Sequence, residues 1–308
     1  MPWLPTRLRH TETGPVVDWC EVPDGAMTGP FFDPSARCRT AGNRSSALDA
    51  LAADDSAPLP SGLIFHVSRC GSTLFARQLA AVPGSRVLSE PPIVESLLRW
   101  PGLDAVQRRA RLHGLLAAFA AGSPPPRASV IKFAARALLD HASIRAAGMG
   151  VPCVVLYRDP AEVLVALVGT STALPPGLRE AMLLDDPGDP DRTDSLEPVE
   201  FWARVLARQY ASAADLAACE GVLLLRYDAL PDAAWQCVAP HFGLALDAAD
   251  RTAMQAGAAR NAKSGQAFID DRAAKRARVS AEIAAAVERW IAPHHARLEA
   301  LQRVSTPV

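Results

Sequence analysis

The sequence predicts an α/β protein built on a central parallel sheet with helices on both faces. Two observations predict it. From residue 62 onward, short apolar runs alternate with longer segments of helical period, and strands alternating with helices imply βαβ units and parallel pairing. The chain of 308 residues is 49% hydrophobic and 21% charged, enough to bury the core that such a sheet needs. In sheets of this kind a ligand sits outside the carboxyl ends of the strands.

"LIFHV" is the first strand of the series and "TLFARQLAAV" the helix that follows it. "RVLSE" is the second strand, and "PIVESLLRW" and "DAVQRRARLHGLLAAFAAG" are helices. "SVIKFA" is a strand, "ARALLDHASIRAAG" a helix, "PCVVLYRDP" a strand and "AEVLVALVG" a helix. After an interruption the rhythm resumes with the helix "VEFWARVLARQYASAADLAAC", the strand "GVLLLRYDAL" and the helix "AAWQCVAPHFG". The interruption, near residues 173–198, is acidic and rich in proline and glycine, and reads as a lid-like loop. Its Asp185, Asp186, Asp189, Asp191 and Asp194 would attract a cationic acceptor if they line the cleft, and otherwise form an acidic surface. The tail "RNAKSGQAFIDDRAAKRARVS" is polar and leads into an amphipathic helix.

Residues 1–58 are rich in turn formers, with "SSALDALAADD" as one short helix, and read as an N-terminal extension packed on a core domain of residues 59–308. The net charge of −1 gives no reason to expect nucleic acid or an anionic membrane as partner. Six scattered cysteines without a CxxC pair favour reduced thiols over a disulfide frame or a zinc site. The first residues lack the apolar stretch of a signal peptide, and no run of about 18 apolar residues occurs. A cytoplasmic protein without a metal is expected.

"SRCGST" follows a buried strand and opens a helix. Backbone N–H groups of Cys70, Gly71, Ser72, Thr73 and Leu74 can then converge on an anion at the helix N-terminus. Gly71 permits close approach, Ser72 and Thr73 add hydroxyls, and Arg69 adds a planar cationic fork. The same residues also read as an ordinary strand-to-helix turn. A Walker A loop needs GxxxxGK[ST], and "HVSRCGST" has neither the first glycine nor the lysine.

"FHVSRCGSTLFARQLAAVPGSRVLSEPP" resembles the 5'-phosphosulfate loop of sulfotransferases, nearest in pattern to bacterial members and to tyrosylprotein-type enzymes with arginine in the loop. The resemblance implies a P-loop fold and 3'-phosphoadenosine 5'-phosphosulfate (PAPS) as sulfuryl donor. It places the 5'-phosphosulfate on Arg69, Cys70, Gly71, Ser72, Thr73 and Leu74, with Cys70 where the family has serine. "VVLYRDPAEVLVALVG" is similar to the family's 3'-phosphate segment and implies that Arg158 binds that phosphate. By themselves Arg158 and Asp159 also read as a capped strand-helix corner. The family's serine eight positions further on is Ala166 here, with Ser171 and Thr172 as substitutes. "LLLRYDALPDAAWQCVAPHFGL" resembles the family's later strand and helix, which makes Tyr227 a nucleotide contact or, equally, a buried structural tyrosine. The likeness spans roughly residues 62–300.

Sulfuryl transfer asks for in-line approach, stabilisation of the leaving phosphate and a base. Arg69 is one cation, and Lys132, which interrupts the apolar strand "SVIKFA", is a second or else a lysine snorkelling at the sheet edge. Glu90 ends "RVLSE" before "PP" and is the candidate base, or else a strand-end cap. In tyrosylprotein-type enzymes the catalytic glutamate follows the loop arginine at the same separation, 21 positions here. His66 is the rival base or a core histidine. Lys263, Ser264 and Lys275 in the tail are candidates for the 3'-phosphate or the cleft edge. The reading is a PAPS-dependent sulfotransferase acting on a hydroxyl or amine of a small-molecule or peptide acceptor. The alternatives are an ATP-using P-loop kinase and a nucleotide-binding protein without turnover.

Overall fold

A computed structural model describes residues 3–22, 32, 43–52, 56–122, 124–169, 196–259 and 272–305. The N-terminal part forms an antiparallel sheet in the order β1 (Trp3–Thr11), β2 (Gly14–Glu21), β3 (Asn43–Ala47). The sequence pattern did not foretell these strands. A register shift between Pro5 and Arg7 breaks the alternation of β1, and β3, "NRSSA", is almost wholly exposed. The short helix expected next is a single 3-10 turn, Leu48–Leu51, with Leu48 and Leu51 buried. Cys20 also corrects an expectation: it is disulfide-bonded, to a partner outside the described residues, whereas Cys70, Cys153, Cys219 and Cys237 are free thiols.

The expected parallel sheet is present. Its strands β4 (Gly62–His66), β5 (Ser85–Ser89), β6 (Ala128–Lys132), β7 (Cys153–Tyr157) and β8 (Val222–Arg226) lie in the order β5-β6-β4-β7-β8. Every residue of β4, β6 and β7 is buried, as strands covered on both faces must be. Gly62 is needed at the start of β4, because a Cβ there would lie 2.4 Å from the ring of Phe242.

The connecting helices are α1 (Ser72–Ala80), α2 (Pro92–Leu98), α3 (Ala105–Ala120), α4 (His141–Ala147), α5 (Pro160–Val168) and α6 (Pro198–Ala217). Local signals explain their starts. Asp104 and Gln107 form a reciprocal capping box on α3, and Asp159 caps α5 with Pro160 in its first position. The crossover from β4 to β5 runs one way along the sheet and the later ones run the other way, so right-handed connections put α1 on one face and α3, α4 and α6 on the opposite one. Helix α7 (Ala248–Ala258), which the pattern did not signal, packs on α1 and buries only Asp250 and Met254. The chain ends in α8 (Arg272–Arg276), α9 (Ala281–Ala286) and α10 (Ala292–Ser305), the last packed on α6 and β8. Among the described residues no helix is long and apolar enough to cross a membrane. The lid-like loop near 173–198 falls almost wholly outside the described residues, as do Ser171, Thr172, Lys263 and Ser264.

Candidate active site

The crossovers diverge between β4 and β7, which are neighbours in the sheet. A crevice opens at the carboxyl ends of such a pair. The loop Val67–Gly71 leaves β4 there, and Arg158 and Asp159 leave β7 beside it.

The first loop is built to leave donors unused. The Val67 N–H continues the ladder to the Leu156 carbonyl at 3.1 Å, and the Ser68 N–H donates to Oε1 of buried Gln209 at 2.8 Å. Beyond them the backbone turns left-handed at Arg69 (φ 54°) and again at Gly71 (φ 87°). Gly71 occupies the N-cap position of α1 without a side-chain cap, and the first bond into the helix backbone is Phe75 N–H to Gly71 O. The N–H groups of Thr73 and Leu74, with that of Ser72 beside the Cys70 sulfur, form the positive end of the helix, to which Gly71 adds no side-chain cap. Arg69 is half-buried and makes no ion pair or hydrogen bond among the described residues. Burial pushes the Cys70 thiol up to about 12, so Cys70 is a neutral packing residue and no nucleophile. The charges of Lys132 and Arg158 both act on that thiol.

Arg158 is nine-tenths or more buried and held on three sides. Its Nε donates to Glu162 Oε2 at 2.7 Å, its carbonyl accepts from Tyr210 Oη at 2.5 Å, and its guanidinium lies 4.1 Å from the centre of the Tyr227 ring. Glu162, 1% exposed, spends its other oxygen on Arg276 Nε at 2.7 Å. One buried carboxylate thus carries two arginines. Tyr227 joins the two loops: a Cβ on Gly71 would lie 2.4 Å from its ring. Only a glycine, with its tolerance of positive φ and its missing side chain, fits between the turn and that ring.

The second cluster lies on the opposite side of β4. Parallel register pairs Lys132 with Ile64 on one side and with Ser89 on the other. An uninterrupted β5 would send residue 90 to the other face. Instead Glu90 adopts φ 56°, and its Oε1 accepts from Lys132 Nζ at 2.6 Å. The Glu90 N–H donates to the Lys132 carbonyl at 2.6 Å, and the Ser89 carbonyl accepts from the Phe32 N–H at 2.6 Å, so the peptide before Glu90 is pinned from both sides. Arg69 and Glu90 are the two non-glycine residues with positive φ among the described residues. Such conformations cost about 1–3 kcal/mol each and persist where the surroundings enforce them, commonly at functional sites. His66, at the end of β4, completes the group with Nε2 at 3.9 Å from Glu90 Oε1. Its Nδ1 is 2.9 Å from the Val67 carbonyl. Burial first, and the Lys132 charge second, lower its pKa to about 4, against the pull of Glu90 and the carbonyls of Val67 and Phe133.

The residues singled out in the sequence therefore fall into two groups at one sheet edge: Arg69 to Leu74 with Arg158 and Tyr227, and Glu90 with Lys132. Lys275 lies on α8, beside Arg276. Sequence reasoning missed Glu162 and Arg276. The i,i+4 spacing of Arg158 and Glu162 was a usable signal, whereas the Arg276 contact spans 114 positions and had none. The role of Phe32 against β5 had no signal either. Among the described residues no three His, Cys, Asp or Glu side chains could hold a metal ion.

No family model and no curated protein matches the chain. Among solved structures it is similar to a sulfotransferase domain from the curacin biosynthetic pathway, at 11% identity and a TM-score of 0.43 over 75% of this chain and 97% of that one. It is also similar to a sulfotransferase domain from the Synechococcus PCC 7002 olefin synthase, at 13% identity and a TM-score of 0.40 over 77% of this chain and 96% of that one. Likenesses this distant add nothing about the site, whose reading rests on its own geometry.

Proposed function

We infer that this protein is a sulfotransferase that moves a sulfuryl group from PAPS to a hydroxyl or amine of a small-molecule or peptide acceptor. The observation that carries the reading is the pairing, at one crevice, of an uncapped helix start flanked by buried Arg158 with a separate Lys132–Glu90 pair at 2.6 Å. Two anion-binding elements suit a donor with phosphate groups at both ends of its ribose, and the second pair supplies a base. PAPS brings the activated sulfuryl group. The N–H groups of Ser72, Thr73 and Leu74, with Arg69 and the hydroxyls of Ser72 and Thr73, would hold its 5'-phosphosulfate end. Arg158, steadied by Glu162 and Tyr227, would hold the 3'-phosphate.

Glu90 would take the proton from the acceptor, and the acceptor's electron pair would form the new bond to sulfur as the bridging S–O bond breaks. The electron pair of the broken S–O bond leaves on the 5'-phosphate, where Arg69 and Lys132 would oppose the growing negative charge. A Lys132 ammonium with no exposed side-chain surface is a fixed charge that needs no reorganisation during reaction. The test is a thermal shift. Adenosine 3',5'-bisphosphate should raise the melting temperature and ATP with magnesium should not; the reverse pattern would favour a kinase. Binding of the bisphosphate without transfer to any hydroxyl or amine acceptor would favour a non-catalytic nucleotide-binding protein.

A further inference from the structure

His66 raises a question that its neighbours answer. Its ring is nearly fully buried, yet Nε2 has no hydrogen-bond partner among the described residues. The Val67 carbonyl at 2.9 Å from Nδ1 can only accept, so Nδ1 carries the ring proton. Nε2 of the neutral ring is then a bare lone pair. It faces Glu90 Oε1 at 3.9 Å, the same oxygen that Lys132 holds at 2.6 Å. A lone pair and a carboxylate oxygen have no proton to share, which accounts for a separation beyond hydrogen-bond reach.

That arrangement changes when Glu90 acquires a proton. We propose that His66 is a positioning residue whose Nε2 accepts the hydrogen bond of protonated Glu90, so that the site has a built partner for the acid form of its base. The inference rests on the assignment of Glu90 as the base. In the step concerned, the acceptor's proton moves to the Glu90 carboxylate, and the resulting O–H donates to Nε2 without ionising the imidazole. The Phe133 carbonyl also nears the ring but makes no hydrogen bond to Nε2, and the charged groups around the pair agree with this division. Lys132, from β6, faces both residues and opposes a charge on His66, which together with burial keeps the ring neutral as an acceptor. Glu95, from α2, brings further negative charge near Glu90 but is itself paired with Arg99 at 3.9 Å. About a quarter of the Glu90 side chain is exposed, so the carboxyl has room to rotate between the two partners.

Glu90→Gln tests the proposal without any nucleotide or acceptor, because the glutamine amide imitates a protonated carboxyl by offering an N–H. In 15N-histidine spectra of the full chain, the wild type at neutral pH should show His66 with Nδ1 protonated and Nε2 bare. In the variant the Nε2 resonance should move to lower frequency, as for a lone pair that accepts a hydrogen bond, with Nδ1 still protonated. Should the variant fail to fold, acidification of the wild type should displace Nε2 by the same amount with Nδ1 unmoved, a signature distinct from protonation of His66 itself, which moves both nitrogens together. An Nε2 found protonated in the wild type, or unmoved when residue 90 offers a proton, would overturn the proposal. Failure of adenosine 3',5'-bisphosphate to bind would instead count against the sulfotransferase reading, so the two can fail separately.

Discussion

The Lys132 ammonium, with no solvent-exposed side-chain surface, meets Glu90 Oε1 at 2.6 Å from the neighbouring strand β6. Glu90 is thus both the proposed base and the partner that makes a buried charge tolerable. Glu90→Gln keeps an oxygen for Lys132 and removes the base. Turnover should fall by about 10² to 10⁴, while binding of adenosine 3',5'-bisphosphate stays within a few-fold. Glu90→Leu removes the carboxylate that Lys132 meets at 2.6 Å and should cost up to about 3–5 kcal/mol of stability, read from urea denaturation. A Glu90→Gln enzyme with near-normal kcat would reduce Glu90 to a strand-end cap.

Gly71 fits where no side chain can. Its φ of 87° is one that L residues avoid, and a Cβ would lie 2.4 Å from the Tyr227 ring. Gly71→Ala should lower stability by at least about 1–2 kcal/mol from the backbone alone, and should abolish bisphosphate binding by displacing the loop. Calorimetry on the variant checks both, and unchanged affinity would separate the loop from the donor.

Glu162 and Arg158 should differ when each is removed. Glu162→Ala leaves the buried Arg158 guanidinium without its carboxylate, and such a loss costs about 3–5 kcal/mol. Arg158→Ala leaves Glu162 still paired with Arg276 at 2.7 Å, so its melting temperature should fall less. Equal losses would show that the Arg276 contact does not compensate.

How much of this was readable beforehand follows from the kind of signal each feature carries. Strand β7, "CVVLY", and helix α5 after Asp159 and Pro160 announce themselves by composition and capping, and they deliver Arg158 to the sheet edge. The candidate roles of Arg69 and Glu90 came from loop position and resemblance. Their left-handed backbones came from neither, because nothing in "SRCG" or "LSEPP" demands positive φ at an arginine or a glutamate. Strand β3 was hidden because it pairs with β2 through its backbone while burying no side chain fully. Glu162's second arginine and the Phe32 contact with Ser89 are tertiary choices that local pattern cannot encode.

His66 gives the fold a definite response to acid. Its pKa is lowered from the usual 6.5 to about 4, so between those values the unfolded chain binds a proton that the folded chain refuses. Stability from this site is therefore present above pH 6.5 and is lost as pH falls toward 4, to a total of roughly 3 kcal/mol. Urea denaturation of the wild type and of His66→Phe at pH 7, 5.5 and 4.5 should show a shallower decline in the variant. Parallel declines would mean that folded His66 takes up its proton over the same pH range as in the unfolded chain.

The donor assignment turns on whether Arg158 reads a phosphate on the 3' side of an adenosine. Calorimetric titration of adenosine 3',5'-bisphosphate and of adenosine 5'-monophosphate, each against the wild type and Arg158→Ala, measures that directly. One well-placed charge-assisted contact is worth about 1.5–3 kcal/mol. The wild type should accordingly favour the bisphosphate by about tenfold or more, and the preference should vanish in Arg158→Ala. Equal affinity of the wild type for the two nucleotides would contradict the account.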